Sequence, residues 1–527
     1  MAAEANEFRM RIIQRFLFIT IDCLAVILVL SPYGRPSEKQ DDQEIRRGLE
    51  KITRVYDITA TQLADPTDPE KAIYEGAIRG ALSRLDPFSV FLDAEQSQSL
   101  QQQQRGVQQG FGAILNVQAG SVTVLQALPA SPFGRAGLGP GDRIVRINGY
   151  RVASMDLQEL VEVLQQARSS RVRLSILQSG KVVPQDFEMD PAELPSPTVD
   201  KKFLLRQDVG YLRVARVEES TPEEIKSALE EWNAKDLRGL LLDLRDNPGG
   251  ALEPTVAVAS LFLREGQAVV SLQGRAMPEK SYVVDALPLW RNLPLVVLIN
   301  GRTASAAEII AAAFQEHDRA WVVGEPSFGK GVVESVMPLS EGAALALTTA
   351  RYFTPQGRSV QRPLPGTALA GVLSESGKKF FSDAGRPLAD GGGLQPDQKA
   401  AAWQLDPWTE TLGQTTAFVN FAQSYIERHG KISEAFGVDD SVLDEFQSFL
   451  QQAGVLIPPQ SWVTSVPFLK VRIKTELFNL VFGASRGDEV EAGGDPQVES
   501  AVQALSQARQ LLQLKEQKQA QDAVARR

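Results

Sequence analysis

The sequence predicts an α/β multidomain protein, and three observations carry that reading. Two apolar runs, Leu240-Leu241-Leu242-Asp243-Leu244 and Leu295-Val296-Val297-Leu298-Ile299, each break at a turn containing Asn and Gly and then enter a helix-like segment. That is the pattern of buried parallel strands feeding helices. A compact series of short strands and glycine turns lies upstream, between about Val107 and Asp190. Helical periodicity flanks both. At 527 residues the chain is too long for one core, and roughly three or four domains are expected.

Composition narrows the function classes. A hydrophobic content of 43% and a charged content of 23% suit a globular protein. The net charge of -10 argues against a nucleic-acid binder, which needs a basic surface. The single cysteine, Cys23, rules out an intramolecular disulfide, a thiolate zinc site and a CxxC redox pair. With only His317 and His429, and no HExxH, no metal and no cofactor are expected.

In chain order, Arg9, Arg11 and Arg15 precede an apolar run from Phe16 to Leu30 that Thr20 and Asp22 interrupt. Residues 1–35 are therefore read as an export signal or membrane anchor, which places the rest in a periplasmic or other extracytoplasmic space. Residues 36–106 read as helical: Leu49, Ile52, Val55 and Tyr56 keep a 3–4 spacing, as do Ile73, Ala77, Ile78 and Leu82. Pro87 closes the second helix, and the polar Gln96–Gln104 stretch is expected to be a linker. Residues 107–190 form the strand-rich unit. It contains Gly110-Phe111-Gly112-Ala113, a Ser131–Asp142 connection, an Asn148-Gly149 hairpin turn and a helix opening at Asp156 with Glu159 as capping partner.

Residues 191–402 hold the α/β core. A strand at Val209–Val214, a helix from Ser220-Thr221-Pro222, the buried 240–244 strand and the Asp246–Leu252 turn alternate. The glycines of that turn allow backbone N–H groups to face open space, as an oxyanion hole requires. After Asn300-Gly301 comes Arg302-Thr303-Ala304-Ser305-Ala306-Ala307-Glu308, with Ser305 and Glu308 at capping-box spacing, so the serine stands at a helix mouth. The loop Gly324–Gly331 contributes one lysine, Lys330. Ser305 as nucleophile and Lys330 as its base is the chemical reading, which requires an uncharged, desolvated amine. His317, at the end of the Ser305 helix, is read as a surface or C-terminal helix residue. The Ser376–Lys379 SxxK string is read as coincidence. Residues 403–527 carry apolar faces (Phe418, Phe421, Tyr425; Val442, Phe446, Leu450; Leu477, Val481) and read as a helical bundle. Gly483 stops its third helix, Arg486-Gly487-Asp488 is expected to be a loop, and Pro496 is expected to open one last helix.

With these motifs assembled, residues 107–190 resemble a PDZ domain through the GFGA loop, the SPxxxAGL-x-x-GD run and the I-x-x-I-N-G turn. The resemblance implies that Gly110, Phe111, Gly112 and Ala113 present N–H groups to a peptide's terminal carboxylate while the peptide extends the sheet. From about residue 40 to 400 the chain resembles the carboxyl-terminal processing proteases, through LDPFS at Leu85–Ser89, the PDZ motifs, DLRDNPGG at Asp243–Gly250, NGRTASAAE at Asn300–Glu308, GEPSFGKG at Gly324–Gly331 and GRSVQ at Gly357–Gln361. That family implies a crotonase-like α/β core capped partly by the N-terminal helices, and endoproteolysis near the C-termini of protein substrates. It implies Ser305 as nucleophile, Lys330 as base, and oxyanion-hole N–H groups from Ala306 and from Gly249 or its neighbour Gly250. Glu334 departs from the family, which usually places a glutamine four residues after the lysine. An ionised Glu334 opposes the role of Lys330, whereas a neutral or averted one permits it. A catalytically attenuated, PDZ-bearing peptide-binding scaffold is therefore the alternative, and a crotonase-like acyl-CoA enzyme a third class. Expected partners are proteins or peptides with free C-termini, a membrane through the N-terminal segment, and an adaptor or second copy through 403–527.

Overall fold

The computed structural model describes residues 41–65, 68, 71–104, 107–128, 131–168, 170–276, 278–371, 378–389 and 392–525. The N-terminal signal or anchor expectation, with Cys23, falls outside them, as do Ser376 and Gly377. Among the described residues no helix is long and apolar enough to cross a membrane.

The N-terminal region opens with helix α1 (Asp41–Gln62), whose Ile45, Leu49, Ile52 and Val55 stay exposed. A π-helix follows (Lys71–Ile78), then a short strand β1 (Val90–Leu92). The glutamine-rich stretch is not a linker but helix α2 (Ala94–Gln104). Its start is fixed reciprocally: Gln96 N–H donates to Asp93 Oδ1 at 2.8 Å and Asp93 N–H to Gln96 Oε1 at 3.3 Å. Glutamine is also a good helix former when nothing competes.

The strand-rich unit begins with β2 (Val107–Gly110), then β3 (Ala113–Gln118), β4 (Ser121–Ala127), β5 (Arg143–Ile147), helix α3 (Leu157–Ala167), β6 (Val172–Leu177) and β7 (Gln185–Met189). Strands β3-β4-β5-β6-β7 form an antiparallel sheet in that order, so β3 is an edge. The predicted capping box of α3 is present, Asp156 and Glu159 exchanging bonds of 2.8 and 3.0 Å. β2 leaves this sheet and pairs with β8 (Ala192–Pro195), forming a two-stranded ribbon where the chain passes from this unit into the α/β core.

The central sheet has six strands in the order β9 (Val199–Leu205), β10 (Val209–Val214), β11 (Gly239–Asp243), β14 (Leu295–Ile299), β15 (Trp321–Gly324), β18 (Gln398–Lys399). All pairs beyond β9–β10 are parallel. Every residue of β11 and β14 is buried, which explains why both read as unbroken apolar runs. One face packs on α4 (Thr221–Glu231), α5 (Leu252–Ser260) and α6 (Ala306–Glu316). A second sheet joins β1, β17 (Ala344–Phe353), β12 (Ala268–Gly274) and β13 (Lys280–Val283), with β16 (Val332–Pro338) on β17.

The C-terminal region contains α7 (Ala417–His429), α8 (Asp440–Gln452), α9 (Pro459–Phe482), α10 (Ala484–Gly494), α11 (Pro496–Gln503) and α12 (Leu505–Ala525). Two expectations are corrected here. Arg486–Asp488 is helical because Gly487 lets α10 lie against α9: a Cβ there would meet Asn479 Oδ1 at 1.9 Å. Lys201 on β9 also pairs with Asp488 at 2.7 Å and Glu491 at 3.1 Å. The single helix expected from Pro496 is broken at Ala504 into α11 and α12.

Candidate active site

Two turns at the carboxyl ends of adjacent parallel strands are bolted together. After β11, Asn247 accepts the Ala304 N–H through its carbonyl (2.9 Å), while its own side-chain amide donates to Val214 O (2.8 Å). After β14, Thr303 Oγ1 donates to Leu244 O at 2.8 Å and accepts the Asn300 N–H at 2.9 Å. Ser305 emerges between them with φ 53° and ψ -117°, a conformation a serine rarely adopts. The surroundings enforce it: Tyr352 Oη donates to Ser305 O at 3.3 Å, and Ser305 N–H donates to Glu308 Oε2 at 2.9 Å. Ser305 is buried, 7% exposed, at the first turn of α6.

The same Glu308 organises the lysine loop. Oε2 also accepts the Lys330 N–H at 2.9 Å; Oε1 accepts the Gly329 N–H at 2.9 Å and the Ser327 hydroxyl. Ser305 and Lys330 thus have backbone nitrogens on one carboxylate oxygen, so the two predicted residues stand side by side. Burial pushes the Glu308 carboxyl up to about 7, against the pull of those four donors. In the sequence Glu308 shows only as a capping partner; its second duty needs the loop brought in from 19 to 22 residues away.

The Lys330 side chain is 1% exposed. Its Nζ lies 3.0 Å from Glu334 Oε2 and 4.8 Å from the centre of the Phe88 ring. Glu334 is wholly buried, and its Oε1 has no hydrogen-bond partner among the described residues. Burial pushes this carboxyl up to about 7; Lys330 pulls it down and Asp86 pushes it further up. Glu334 is therefore turned toward the lysine, not averted. Phe88 and Asp86 belong to the LDPFS motif, so the N-terminal region builds one wall of the site.

Ala306 begins α6, and its N–H donates to no acceptor among the described residues. The expectation for Gly249 needs correction: its N–H is taken by Asn247 Oδ1 at 2.8 Å. Gly250 bridges Val217, which bonds Gly249 O and Ala251 N, so in that parallel pattern the Gly250 N–H points the other way. It has no acceptor among the described residues. Gly249 instead supplies room: with φ 109°, a Cβ there would lie 2.8 Å from Ser305 Cβ and 3.0 Å from Ala306 N. An Asx turn is the signal in Asn247 that would have shown this.

In the strand-rich unit, Gly112 (φ 72°) leaves space for Ser131, whose Cβ would be 2.1 Å from any added Cβ. Gly112 O accepts Leu128 N–H at 2.8 Å, and the Phe111 and Gly112 N–H groups have no acceptor among the described residues. Ile114 on the β3 edge and Leu157 and Val161 on α3 are exposed apolar side chains. Gly110 ends β2, and Ala113 starts β3. His317 is not a surface residue: it caps the end of α6, buried between Asp383 Oδ2 (2.8 Å) and Ala268 O (2.7 Å). It lies at the opposite end of α6 from Ser305.

Comparison with known proteins places the chain in a family. The family model described as Peptidase family S41 matches residues 208–368, that of the PDZ domain residues 123–178, and that of the Activating protease CtpB N-terminal domain residues 31–96. The carboxy-terminal-processing protease of Bartonella bacilliformis is 34% identical over 326 residues, 61% of this chain and 74% of that one. Carboxy-terminal processing protease CtpB of Bacillus subtilis is 32% identical over 330 residues, 62% of this chain and 68% of its own. The carboxyl-terminal-processing protease of Synechocystis is 35% identical over 292 residues, covering 54% and 68%. The chain belongs to the carboxy-terminal processing proteases, serine-type peptidases of family S41.

Proposed function

We propose that the chain is an endopeptidase that cuts protein substrates near their C-termini. Ser305 is the nucleophile, Lys330 the base, and Ala306 and Gly250 supply the oxyanion-hole N–H groups. The observation that carries this reading is the shared Glu308 oxygen, which sets a buried serine at a helix mouth beside a buried lysine. A neutral Lys330 takes the Ser305 proton as Oγ attacks the scissile carbonyl. The oxygen that becomes negative is stabilised by N–H groups aimed into the site and by the dipole of α6. The protonated amine then returns the proton to the leaving nitrogen. Glu334 permits this only as the neutral acid. The core is expected to follow a crotonase-like plan.

The PDZ unit is proposed to select or gate substrates: the free edge of β3 beside α3, with the N–H groups of Phe111 and Gly112, suits a chain end with its carboxylate. Charge placed in that groove by Ile114→Asp or Val161→Asp is the test. Cleavage falls if the unit delivers substrate and rises if it blocks the site; an unchanged rate defeats both. The arginine-flanked apolar segment within residues 1–35 supports export and tethering, which membrane fractionation with and without that segment tests.

The 3.0 Å Lys330–Glu334 contact also favours a second reading, a peptide-binding scaffold with an attenuated site. Cleavage of an unstructured protein, compared with Ser305→Ala and Lys330→Ala, separates the two. Wild-type cleavage lost in both variants supports the peptidase; equal background in all three supports the scaffold.

A further inference from the structure

We propose that Asp86, from the N-terminal region, is a positioning residue for the catalytic base: its negative charge keeps the proton of the Lys330–Glu334 pair on the glutamate. This rests on the peptidase reading above.

The geometry is specific. Asp86 is buried and accepts four hydrogen bonds: from Phe88 N–H and Ser89 N–H at 2.8 Å each, from Ser89 Oγ at 2.9 Å and from Thr348 Oγ1 at 3.1 Å. All four bonds are donated to its oxygens, the pattern a carboxylate accepts. Ser89 Oγ in turn accepts the Thr348 N–H at 3.1 Å, so the motif is stapled to β17 at that residue. Thr348 is the direct cross-strand partner of Glu334 on β16. The anion therefore faces Glu334 across one ladder position, while the Phe88 ring lies against the Lys330 amine.

Consider the pair when it holds one exchangeable proton. The proton sits on Lys330, giving ammonium and carboxylate, or on Glu334, giving amine and carboxylic acid. Only the second form contains a base. A fixed negative charge draws the proton to the nearer member, and Asp86 is tied to Thr348, the residue paired with the glutamate. The other groups around Glu334 do not supply that bias. Lys330 acts in the opposite sense, and the Tyr352 phenol on β17, facing both Glu334 and Glu308, is pushed well above its ordinary value by burial and by those two carboxylates. The upward push of Asp86 on Glu334 is in the direction required. The LDPFS segment is thus more than a packing wall, because it supplies the charge that lets a lysine and a glutamate share a site without cancelling it.

The test is Asp86→Asn in the wild-type and Glu334→Gln backgrounds, read as kcat/KM against pH on a peptide with a free C-terminus. In the wild-type background, a roughly three- to tenfold fall at neutral pH is expected, from a shift of about half to one pKa unit. It should appear in kcat, with the acid limb moved to higher pH. In the Glu334→Gln background the fall should vanish, since no glutamate remains to hold a proton. An equal fall in both backgrounds, or no fall in the first, overturns the proposal. If Asp86→Asn does not fold, Asp86→Ser retains a turn-capping oxygen without the charge and is read the same way. Failure of the peptidase reading is distinguished by cleavage that survives Lys330→Ala.

Discussion

Glu334→Gln is the perturbation whose consequence can be worked furthest. The substitution keeps the shape of the side chain and removes its capacity for charge beside Lys330 Nζ, 3.0 Å away. Two unit charges 3.0 Å apart attract by about 5.5 kcal/mol at an effective dielectric near 20, and about 1.4 kcal/mol corresponds to one pKa unit, so complete loss of the anion moves the coupled titration by roughly four units. That is a ceiling, because burial already holds Glu334 up to about 7 and so partly neutral. The sign is fixed: replacing a neighbouring anion with an amide makes the amine easier to deprotonate. The acid limb of kcat/KM should therefore move to lower pH by about one to three units. An internally quenched peptide assayed from mildly acidic to alkaline pH reads this directly. A limb that stays in place, or that moves to higher pH, refutes the coupling. Stability follows the same linkage. A carboxyl raised from 4.5 to about 7 in the fold contributes stability that is full below 4.5 and lost as pH rises through about 7. The gain in Tm of Glu334→Gln over wild type should accordingly be larger at pH above this window than below it.

Gly249→Ala should leave the protein folded but lower kcat by about a hundredfold or more, because its Cβ would push on Ser305 and Ala306 and shift the donors from their line; steady-state kinetics beside a thermal melt checks this. Arg245→Met leaves buried Asp243 without its fork partner, and urea unfolding should show a loss of about 3–5 kcal/mol. Leu505→Ala opens a cavity between α12 and Gly239 of the central sheet and should cost about 2–5 kcal/mol by the same measurement.

The sequence made the strand–turn–helix of Ser305 legible because a strand buried on both faces has no polar alternation to obscure it. Ser305 and Lys330 stood out as candidates for a similar reason, each standing alone among small or apolar neighbours. What could not be read was anything created by distance. Glu308 looks like a helix cap until the 327–330 loop closes on its other oxygen. Asp86 looks like a turn residue until Thr348 arrives from β17. Gly249 and Gly250 are equivalent in the string, and only the Asn247 side chain, taking one of the two N–H groups, separates them. The helix at 484–494 was hidden because Asp488 and Glu491 are paired with Lys201, far away in the chain, and Gly487 and Gly494, which argue against a helix in isolation, are what admit α9.

The C-terminal helices also acquire a reason for being there. The central sheet has two apolar faces, and the protease helices α4, α5 and α6 cover one. The other presents Leu205, Val209, Tyr211, Leu241, Val296, Leu298 and Val323, and these pack on Val498, Ala501, Val502, Leu505 and Ala508 of α11 and α12. A sheet of this kind cannot leave that face in water, so the last helices complete the catalytic core and are not an appendage to it. They also reach the chemistry. Asp495, just before α11, and Gln497 grip Arg245 Nη1 at 2.6 and 2.8 Å, and Arg245 holds Asp243 at the entrance to the Asn247–Gly250 turn. On the other side, the α7–α9 cluster packs against Leu125 of the PDZ unit, and Gln423 Nε2 donates to Thr123 Oγ1 at 3.4 Å. One helical region thus touches both the unit that would receive a substrate's end and the turn that would stabilise its cleavage.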